Sequence, residues 1–423
     1  MRALISNGAR VRYNAAREIF SLRVFTIYQA GHFASNIGFW MQRLAVGWIT
    51  WEMTGSASWL GLVAFAELFP SILTGIWGGA LVDRSSSVRV MFLGTVGVAL
   101  VSLSLAICEM AGLLSPWLIV LHMLLIGANT GLVMPARLAM ASYLAPRSLL
   151  PAALAVNSTG FNLSRFIGPA IAAAIMVVGS VAAVLFISVL LYVSFLLCLY
   201  RLRNIPHSAD RAMASGSFDT PAMPKVEVVP TRQVILGLIT MPLILAAILI
   251  QLVQGVLLRP ASELFPAFVE LVFERGVSGL GMLNAALGIG AILGALIFPS
   301  AGSHRSAMCQ LTIGTIAFAL TLFCFSVSTW FPIVLLILVL HGAAMTFSNI
   351  VAMSFVQLNT PRNRLGRVLS VYGTVFRAGP AVGTVAFGIS SDFVGLTVTV
   401  IVFALVALAC IAIIGLLIVR PNL

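Results

Sequence analysis

Long apolar runs dictate what this chain can fold into. Twelve of them lie at 24–51, 58–82, 88–110, 116–138, 153–178, 181–200, 241–267, 279–299, 307–328, 331–355, 367–390 and 394–419. A helix needs about 20 mostly apolar residues to cross the hydrocarbon of a bilayer. The runs are continuous and do not alternate with period two, so they read as helices and not as barrel strands. Composition agrees: 60% of the residues are hydrophobic and 9% charged, where a soluble chain has about 45–50% and about 25%. A soluble fold of 423 residues could not hide this excess from water. Soluble enzymes, disordered chains and disulfide-stapled secreted modules are excluded. The expected class is an all-α membrane protein with twelve transmembrane helices.

The formal net charge is +12, which in a soluble protein would suggest a nucleic-acid partner. The positions of the charges argue otherwise. With the N-terminus placed inside, the inner segments hold 19 of the 24 Lys and Arg, among them Arg137, Arg147, Arg201, Lys225, Arg305 and Arg364. The outer loops hold only Arg275. This is the asymmetry by which basic residues set orientation, so both termini are expected in the cytoplasm and nucleic acid is not an expected partner. Trp48, Trp51, Trp59, Trp117 and Trp330 fall near predicted outer ends, as an interfacial belt would. The predicted layout is a cytoplasmic tail (1–23), a six-helix bundle (24–200), a cytoplasmic linker (201–240), a second six-helix bundle (241–419) and a short tail (420–423). The arginine-rich start has no early apolar core and is not read as a cleaved signal. Cys108, Cys198, Cys309, Cys324 and Cys410 all lie in apolar runs without C-x-x-C spacing and are expected to be buried free thiols.

The two halves repeat each other. Val120-Leu121-His122 in span 4 recurs as Val339-Leu340-His341 in span 10. Pro146-Arg147-x-x-Leu150 recurs as Pro361-Arg362-x-x-Leu365. Ser158, Asn162, Arg165 and Gly168-Pro169 in span 5 match Ser370, Thr374, Arg377 and Gly379-Pro380 in span 11. The offsets run from 211 to 219. Two six-helix halves of like orientation imply a pseudo-twofold axis along the membrane normal, the architecture of a secondary transporter that rocks about a site between its halves.

On these features the chain resembles the major facilitator superfamily. Gly79-Ala80-Leu81-Val82-Asp83-Arg84, ahead of Arg89, is similar to the family's motif between helices 2 and 3, although Ser86, Ser87 and Val88 replace its glycine and two basic residues. The equivalent loop around Gly302-Ser303-His304-Arg305 is more degraded. Asn36-x-Gly38-x-Trp40-Met41-Gln42-Arg43, Glu52-x-Thr54-Gly55-Ser56, Gln357-x-Asn359-Thr360-Pro361 and Leu365-Gly366-Arg367-Val368 resemble the bacterial enterobactin-exporter-like branch, the transmembrane secretion effectors. The resemblance covers the whole chain. It implies a bacterial inner-membrane exporter of small molecules driven by proton antiport. Gly79, Asp83, Arg84 and Arg89 would form its inner gate, with Asp83 near a helix N-terminus or an arginine.

Ionisable residues inside a membrane are costly and usually functional. Away from span ends there are six: Arg43, Glu67, Arg165, Arg259, Glu263 and Arg377. Arg43 and Glu67 lie twelve positions either side of the turn near residue 55, at matching depth on adjacent helices. Glu67 is either a proton-exchanging carboxylate sensed by Arg43 or half of a permanent salt bridge. Glu263 pairs with Arg259 at i, i+4 or joins the coupling set. Pro260 and Pro266 predict a kinked or broken span 7. Gln29, His32, Asn36 and Arg43 form one polar stripe on span 1. Ser158, Asn162 and Arg165, and again Ser370, Thr374 and Arg377, form stripes ending in arginine before Gly-Pro. Two related guanidiniums would clamp an anionic or hydroxyl-rich substrate, or would cap carbonyls near each half's inner end. Gln251, Gln254, His122 and His341 complete the candidate substrate cavity, with interhelical hydrogen bonding the plainer role for the histidines. Gly288-x-Gly290-x3-Gly294 reads as a packing face.

No P-loop, metal-ligand cluster or nucleophile–base set is present, so no cofactor, metal or enzymatic activity is expected. The expected function is export of a small amphiphilic or anionic organic molecule, siderophore- or drug-like, by proton antiport with alternating access. A proton-coupled importer of an organic anion and a non-transporting scaffold or sensor are the alternatives. The expected partners are a small-molecule substrate, protons and the bilayer, and the expected state is a monomer.

Overall fold

The computed structural model describes residues 17–202, 240–297, 304–361 and 364–419, with backbone alone at 141, 142, 147 and 304. Residues 1–16 of the predicted N-terminal tail, the short C-terminal tail, most of the linker with Lys225 and Arg232, Arg362 and the Gly302-Ser303 loop lie outside the described residues. The described residues build helices α1 (Arg23–Thr54), α2 (Ala57–Arg84), α3 (Ser87–Met110), α4 (Pro116–Leu144), α5 (Leu150–Val178), α6 (Val181–Leu202), α7 (Pro242–Leu257), α8 (Phe265–Leu271), α9 (Gly276–Leu296), α10 (His304–Val327), α11 (Phe331–Asn359), α12 (Leu365–Val394) and α13 (Leu396–Ile414). No strand occurs among them. They are the twelve predicted spans, with span 7 in two pieces. There α7 stops at Leu257, a 3-10 segment runs over Arg259–Leu264, and α8 resumes at Phe265. Pro260 and Pro266 explain the break, because each removes a backbone donor and crowds the preceding turn.

Among the described residues ten stretches are long and apolar enough to cross a membrane by length and composition alone. The two spans outside that set are α1 and α12, the helices with the most polar faces. Elsewhere the ends carry ordinary stop and start signals. Ser86 caps α3 by accepting from Arg89 N at 3.3 Å, and Ser115 caps α4 by accepting from Leu118 N at 3.3 Å. The α1–α2 turn needs Gly55, whose φ is +55°.

The chain divides into two compact units, Met1–Val46 with Pro70–Phe218, and Gly47–Phe69 with Asp219–Leu423. In the first, Tyr28, Met91, Val133, Met140, Phe195 and Leu199 join α1, α3, α4 and α6 in one core. In the second, Ile250, Met308, Leu311, Phe355 and Tyr372 join α7, α10, α11 and α12. Small residues set the closest approaches. A Cβ added at Gly290, Gly294 or Gly342 would collide with the backbone of the facing helix across the α9–α11 contact. The predicted glycine face of span 8 is that contact. The second unit also holds the turn end of the α1–α2 hairpin, whose Gly61 meets Thr384 and whose Ala57 meets Gly388 of α12.

Large apolar side chains such as Ile76, Trp77, Leu93 and Leu296 point outward, as lipid-facing residues should. The cysteines follow them. They are free thiols, but Cys309 and Cys324 are exposed and Cys108, Cys198 and Cys410 half-buried, against the expectation of burial. In a membrane, an apolar run has no need to turn every residue inward.

Candidate functional site

In the first unit, Gly168 of α5 sits so close to α1 that a Cβ there would lie 2.7 Å from Trp40 Cβ and 2.9 Å from Ile37 O. This contact carries Arg165, one turn earlier, over the Trp40 indole at 5.2 Å from its centroid. Arg43 lies over the same ring at 5.6 Å, and Phe161 meets it edge-on at 6.0 Å. Two predicted intramembrane arginines are thus brought to one indole. Guanidinium over an aromatic face is worth about 0.5–2 kcal/mol, more where water is excluded. The Trp40 Nε1 is buried without a hydrogen-bond partner. Asn162 is half-buried on α5.

The rest of the α1 stripe turns into the first unit's interior. Gln29, His32 and Asn36 are all buried. His32 stacks on Tyr28 at 5.4 Å and tilts against Phe195 of α6 at 5.7 Å, with Asn36 Nδ2 at 3.5 Å from its Nε2. Gln29 Nε2 lies where a Cβ on Gly160 would be 2.9 Å away. One residue joins this group against expectation. Arg137, counted with the inner-face charges, lies seven residues before the end of α4, and its Nε is buried. The predicted span closed at residue 138, whereas α4 runs on to Leu144.

In the second unit, Arg259 is carried inward by the 3-10 break. It donates through Nη2 to Asn349 Oδ1 on α11 and through Nη1 to Phe376 O at 3.5 Å. Its guanidinium lies over the Phe376 ring at 4.0 Å. Tyr372 stacks on Phe376 at 6.3 Å and donates to Gln251 Oε1 at 3.1 Å. Gly255 of α7 and Gly379 of α12 allow this proximity, since a Cβ on Gly379 would lie 3.1 Å from Gly255 Cα. Arg377 is half-buried beside Phe376 on α12, and the Thr374 hydroxyl donates to Ser370 O at 3.0 Å. Glu263 is half-buried in the 3-10 segment. Glu67 is half-buried on the part of α2 belonging to this unit.

Hydrogen bonds within each unit follow the repeat. Ser102 of α3 donates to Gln42 Oε1 of α1 at 2.8 Å, and Gln254 of α7 donates to Thr315 of α10 at 2.7 Å. His122 of α4 meets Ser104 of α3 at 2.8 Å, and His341 of α11 meets Thr321 of α10 at 3.0 Å. His122 also meets Leu118 O at 2.7 Å. Both histidines tie neighbouring helices together.

The helix ends hold two further features. Asp83 and Arg84 are exposed at the end of α2, and Arg89 is exposed in the first turn of α3. Gly79 has open space around its Cβ position, while the adjacent Gly78 is the residue pressed against α4, 2.5 Å from Leu132 O. At the other end of α2, Asp392 of α12 clasps the helix start. It accepts from Ser56 Oγ at 2.6 Å, Ala57 N at 2.8 Å and Ser58 N at 3.0 Å. Asp392 lies beyond the predicted span. Burial alone would raise its pKa, but these hydrogen bonds outweigh it and hold the carboxyl below its ordinary value.

Sequence reasoning missed Trp40, Asn349 and Phe376 as partners of the charged residues, and Asp392 as the clasp on the start of α2. The signal for the first was present, because Trp40 and Arg43 are one helical turn apart. No group of three or more His, Cys, Asp or Glu able to hold a metal occurs among the described residues.

A family model described as transmembrane secretion effector matches residues 18–422. The chain belongs to that family, within the major facilitator superfamily. It is therefore a membrane transporter of the efflux and secretion type. It is 22% identical to macrolide efflux protein A of Streptococcus pyogenes over 89% of this chain and 91% of that one. It is 25% identical to the enterobactin exporter EntS of Shigella flexneri over 88% of this chain and 84% of the relative. It is 27% identical to the staphyloferrin A transporter of Staphylococcus aureus, over 42% of this chain and slightly under half (46%) of that relative's length. Among solved structures, the transporter's fold is similar to the nucleoside transporter NupG (TM-score 0.67, 14% identity, covering 93% of this chain and 98% of that one). It is also similar to the D-xylose–proton symporter (TM-score 0.70, 13% identity, 92% and 97%). These identities establish the fold alone.

Proposed function

We propose that this transporter exports a small anionic or amphiphilic organic molecule, siderophore- or drug-like, in exchange for protons by alternating access. In this reading it sits in a bacterial inner membrane with both termini in the cytoplasm, acts as a monomer, and keeps the bundle layout 24–200 and 241–419. The observation that carries the reading is the seating of guanidinium groups over aromatic rings in each bundle: Arg43 and Arg165 over Trp40, and Arg259 over Phe376. A guanidinium is a multidentate donor suited to an anion, and the ring offers an apolar face to the same ligand. Arg165 and Arg377 are the anion-binding arginines, with Gln29, His32, Asn36 and Asn162 of the first bundle and Gln251, Gln254, Arg259 and Thr374 of the second as the other polar candidates. Glu67 is the first proton-exchange site and Glu263 the second, with Arg43 in the same coupling set. Gly79, Asp83, Arg84 and Arg89 act at the inner gate. Relatives named for siderophore and macrolide export favour outward transport.

Transport in inverted membrane vesicles with an imposed pH gradient tests this directly. Uptake of one member of a panel of siderophores, macrolides and organic acids should follow the gradient and collapse with an uncoupler. Glu67→Gln should abolish the gradient dependence, and Arg165→Ala with Arg377→Ala should weaken binding. Full gradient-driven uptake by Glu67→Gln would remove the coupling assignment. Unchanged affinity in the arginine variants would remove the binding assignment.

A further inference from the structure

Two members of the polar group around Arg137, Arg137 itself and Asn157, have no part in that reading, and the other two, Gln29 and His32, enter it only as polar candidates. Its members come from four helices of the first unit and share one level. At a rise of about 1.5 Å per residue, His32 lies about 14 Å from the start of α1, Arg137 about 10 Å from the end of α4, Asn157 about 10 Å from the start of α5 and Tyr192 about 15 Å from the end of α6. Helix direction alternates, so these ends belong to the same face of the bundle. Arg137 is within electrostatic reach of Tyr28, Tyr192 and His32. Asn157 stands beside His32.

Two features make this layer unusual. The first is charge. Residues 23–200 contain four carboxylates, Glu52, Glu67, Asp83 and Glu109. Among the described residues none is paired with Arg137. A guanidinium inside a membrane with no counter-charge is expensive, and the cost falls when an anion meets it. The second is unmet hydrogen bonding. Gln29 Oε1, His32 Nδ1, Asn157 Oδ1 and Arg137 Nε are all buried without a well-formed hydrogen bond, the Asn157 side chain meeting His32 outside good bond geometry. Buried polar atoms are normally satisfied, and four at one level are a set rather than an accident. The set is mixed: the Arg137 Nε can only donate, and the other three can accept. Flipping either amide would exchange an acceptor for a donor and leave the set mixed.

We propose that Arg137, Gln29, His32 and Asn157 form an anion-binding site within the N-terminal bundle, for a small oxyanion that also carries an O–H group. A hydroxycarboxylate or a hydrogenphosphate has this chemistry. Its charged oxygens accept from Arg137, and its O–H donates to the acceptors across the layer. The stacked Tyr28–His32 pair and Phe195 form the apolar wall. The site is defined by binding and stands whatever the direction or coupling of transport.

The test uses the purified full-length transporter in lipid-free detergent micelles, with thermal unfolding read at constant ionic strength. Glycolate and phosphate carry an O–H, and acetate and sulfate do not. Glycolate and phosphate should raise the unfolding temperature saturably, with half-saturation at least tenfold lower than for acetate and sulfate. Arg137→Gln should lose the effect, and Arg137→Lys should weaken it. The Arg165→Gln/Arg377→Gln variant should keep it, which separates this site from the transport reading. Should Arg137→Gln fail to fold, His32→Glu is the second variant. It builds in a counter-charge, and should raise the ligand-free unfolding temperature while abolishing the anion response. Equal responses to glycolate and acetate would overturn the ligand class. A full response in Arg137→Gln, or in His32→Glu, would overturn the site. A response to added anionic lipid with none to the free anions would assign the guanidinium to a headgroup and overturn it as well.

Discussion

Removing the Asp392 carboxylate should free the start of α2 from α12. Asp392→Ala deletes three hydrogen bonds, from Ser56 Oγ, Ala57 N and Ser58 N. Loss of a helix N-cap costs about 0.5–2 kcal/mol, and hydrogen bonds to a charged group are worth more than neutral ones. This carboxylate is largely open to solvent, which keeps the total near about 1–2 kcal/mol, or roughly 5–30-fold in an opening equilibrium. The readout is a single cysteine at Leu60, which is 3% exposed and one turn from Ala57, in a background lacking the five native thiols. Maleimide labelling of Leu60→Cys should be roughly 5–30-fold faster when Asp392→Ala is added. Ser56→Ala, which deletes one bond, should give a smaller increase. Acid acts in the same direction. Because the folded pKa is lowered, the clasp contributes fully above the ordinary carboxylate value and is lost as the pH falls through the lowered one. Identical labelling rates with and without Asp392 would refute the argument that this carboxylate holds the hairpin down.

Three further outcomes follow from the packing. Gly78→Ala should destabilise the protein by about 1–3 kcal/mol through overpacking, because its Cβ would lie 2.5 Å from Leu132 O. Gly79→Ala, with open space, should leave the unfolding temperature unchanged. Gln42→Met should cost more than Gln254→Met, because Gln42 Oε1 accepts from both Ser102 and Tyr192 whereas Gln254 makes one side-chain bond. At about 1 kcal/mol per bond, denaturant unfolding should resolve the difference. Asn349→Ala should lower stability by about 1–3 kcal/mol by removing a partner of the Arg259 guanidinium, and Asn349→Asp should restore it.

The twelve spans were legible because lipid imposes a length and a composition on every crossing helix. The break in span 7 was legible from Pro260 and Pro266, whose effect is local. Partnership between helices was not. That Arg165 rests on Trp40 depends on the approach at Gly168, and a sequence shows the glycine without showing what it faces. Arg137 was misread for a related reason. A basic residue near the end of an apolar run resembles an orientation signal, and only the extra turn of α4 places it inside. The Asp392 clasp spans 336 positions to Ser56, and no local pattern announces a contact of that range.

The paired hydrogen bonds have a historical consequence. Gln42–Ser102 and Gln254–Thr315 recur at offsets of 212 and 213, and His122–Ser104 and His341–Thr321 at 219 and 217. If the halves arose by copying a six-helix ancestor, these bonds were already in it. They then predate the specialisation of either half, and mark which part of the protein descent has held fixed. The features that differ between the copies, Trp40 of α1 against Leu252 of α7 and the uninterrupted α1 against the broken α7, are where the two lineages diverged.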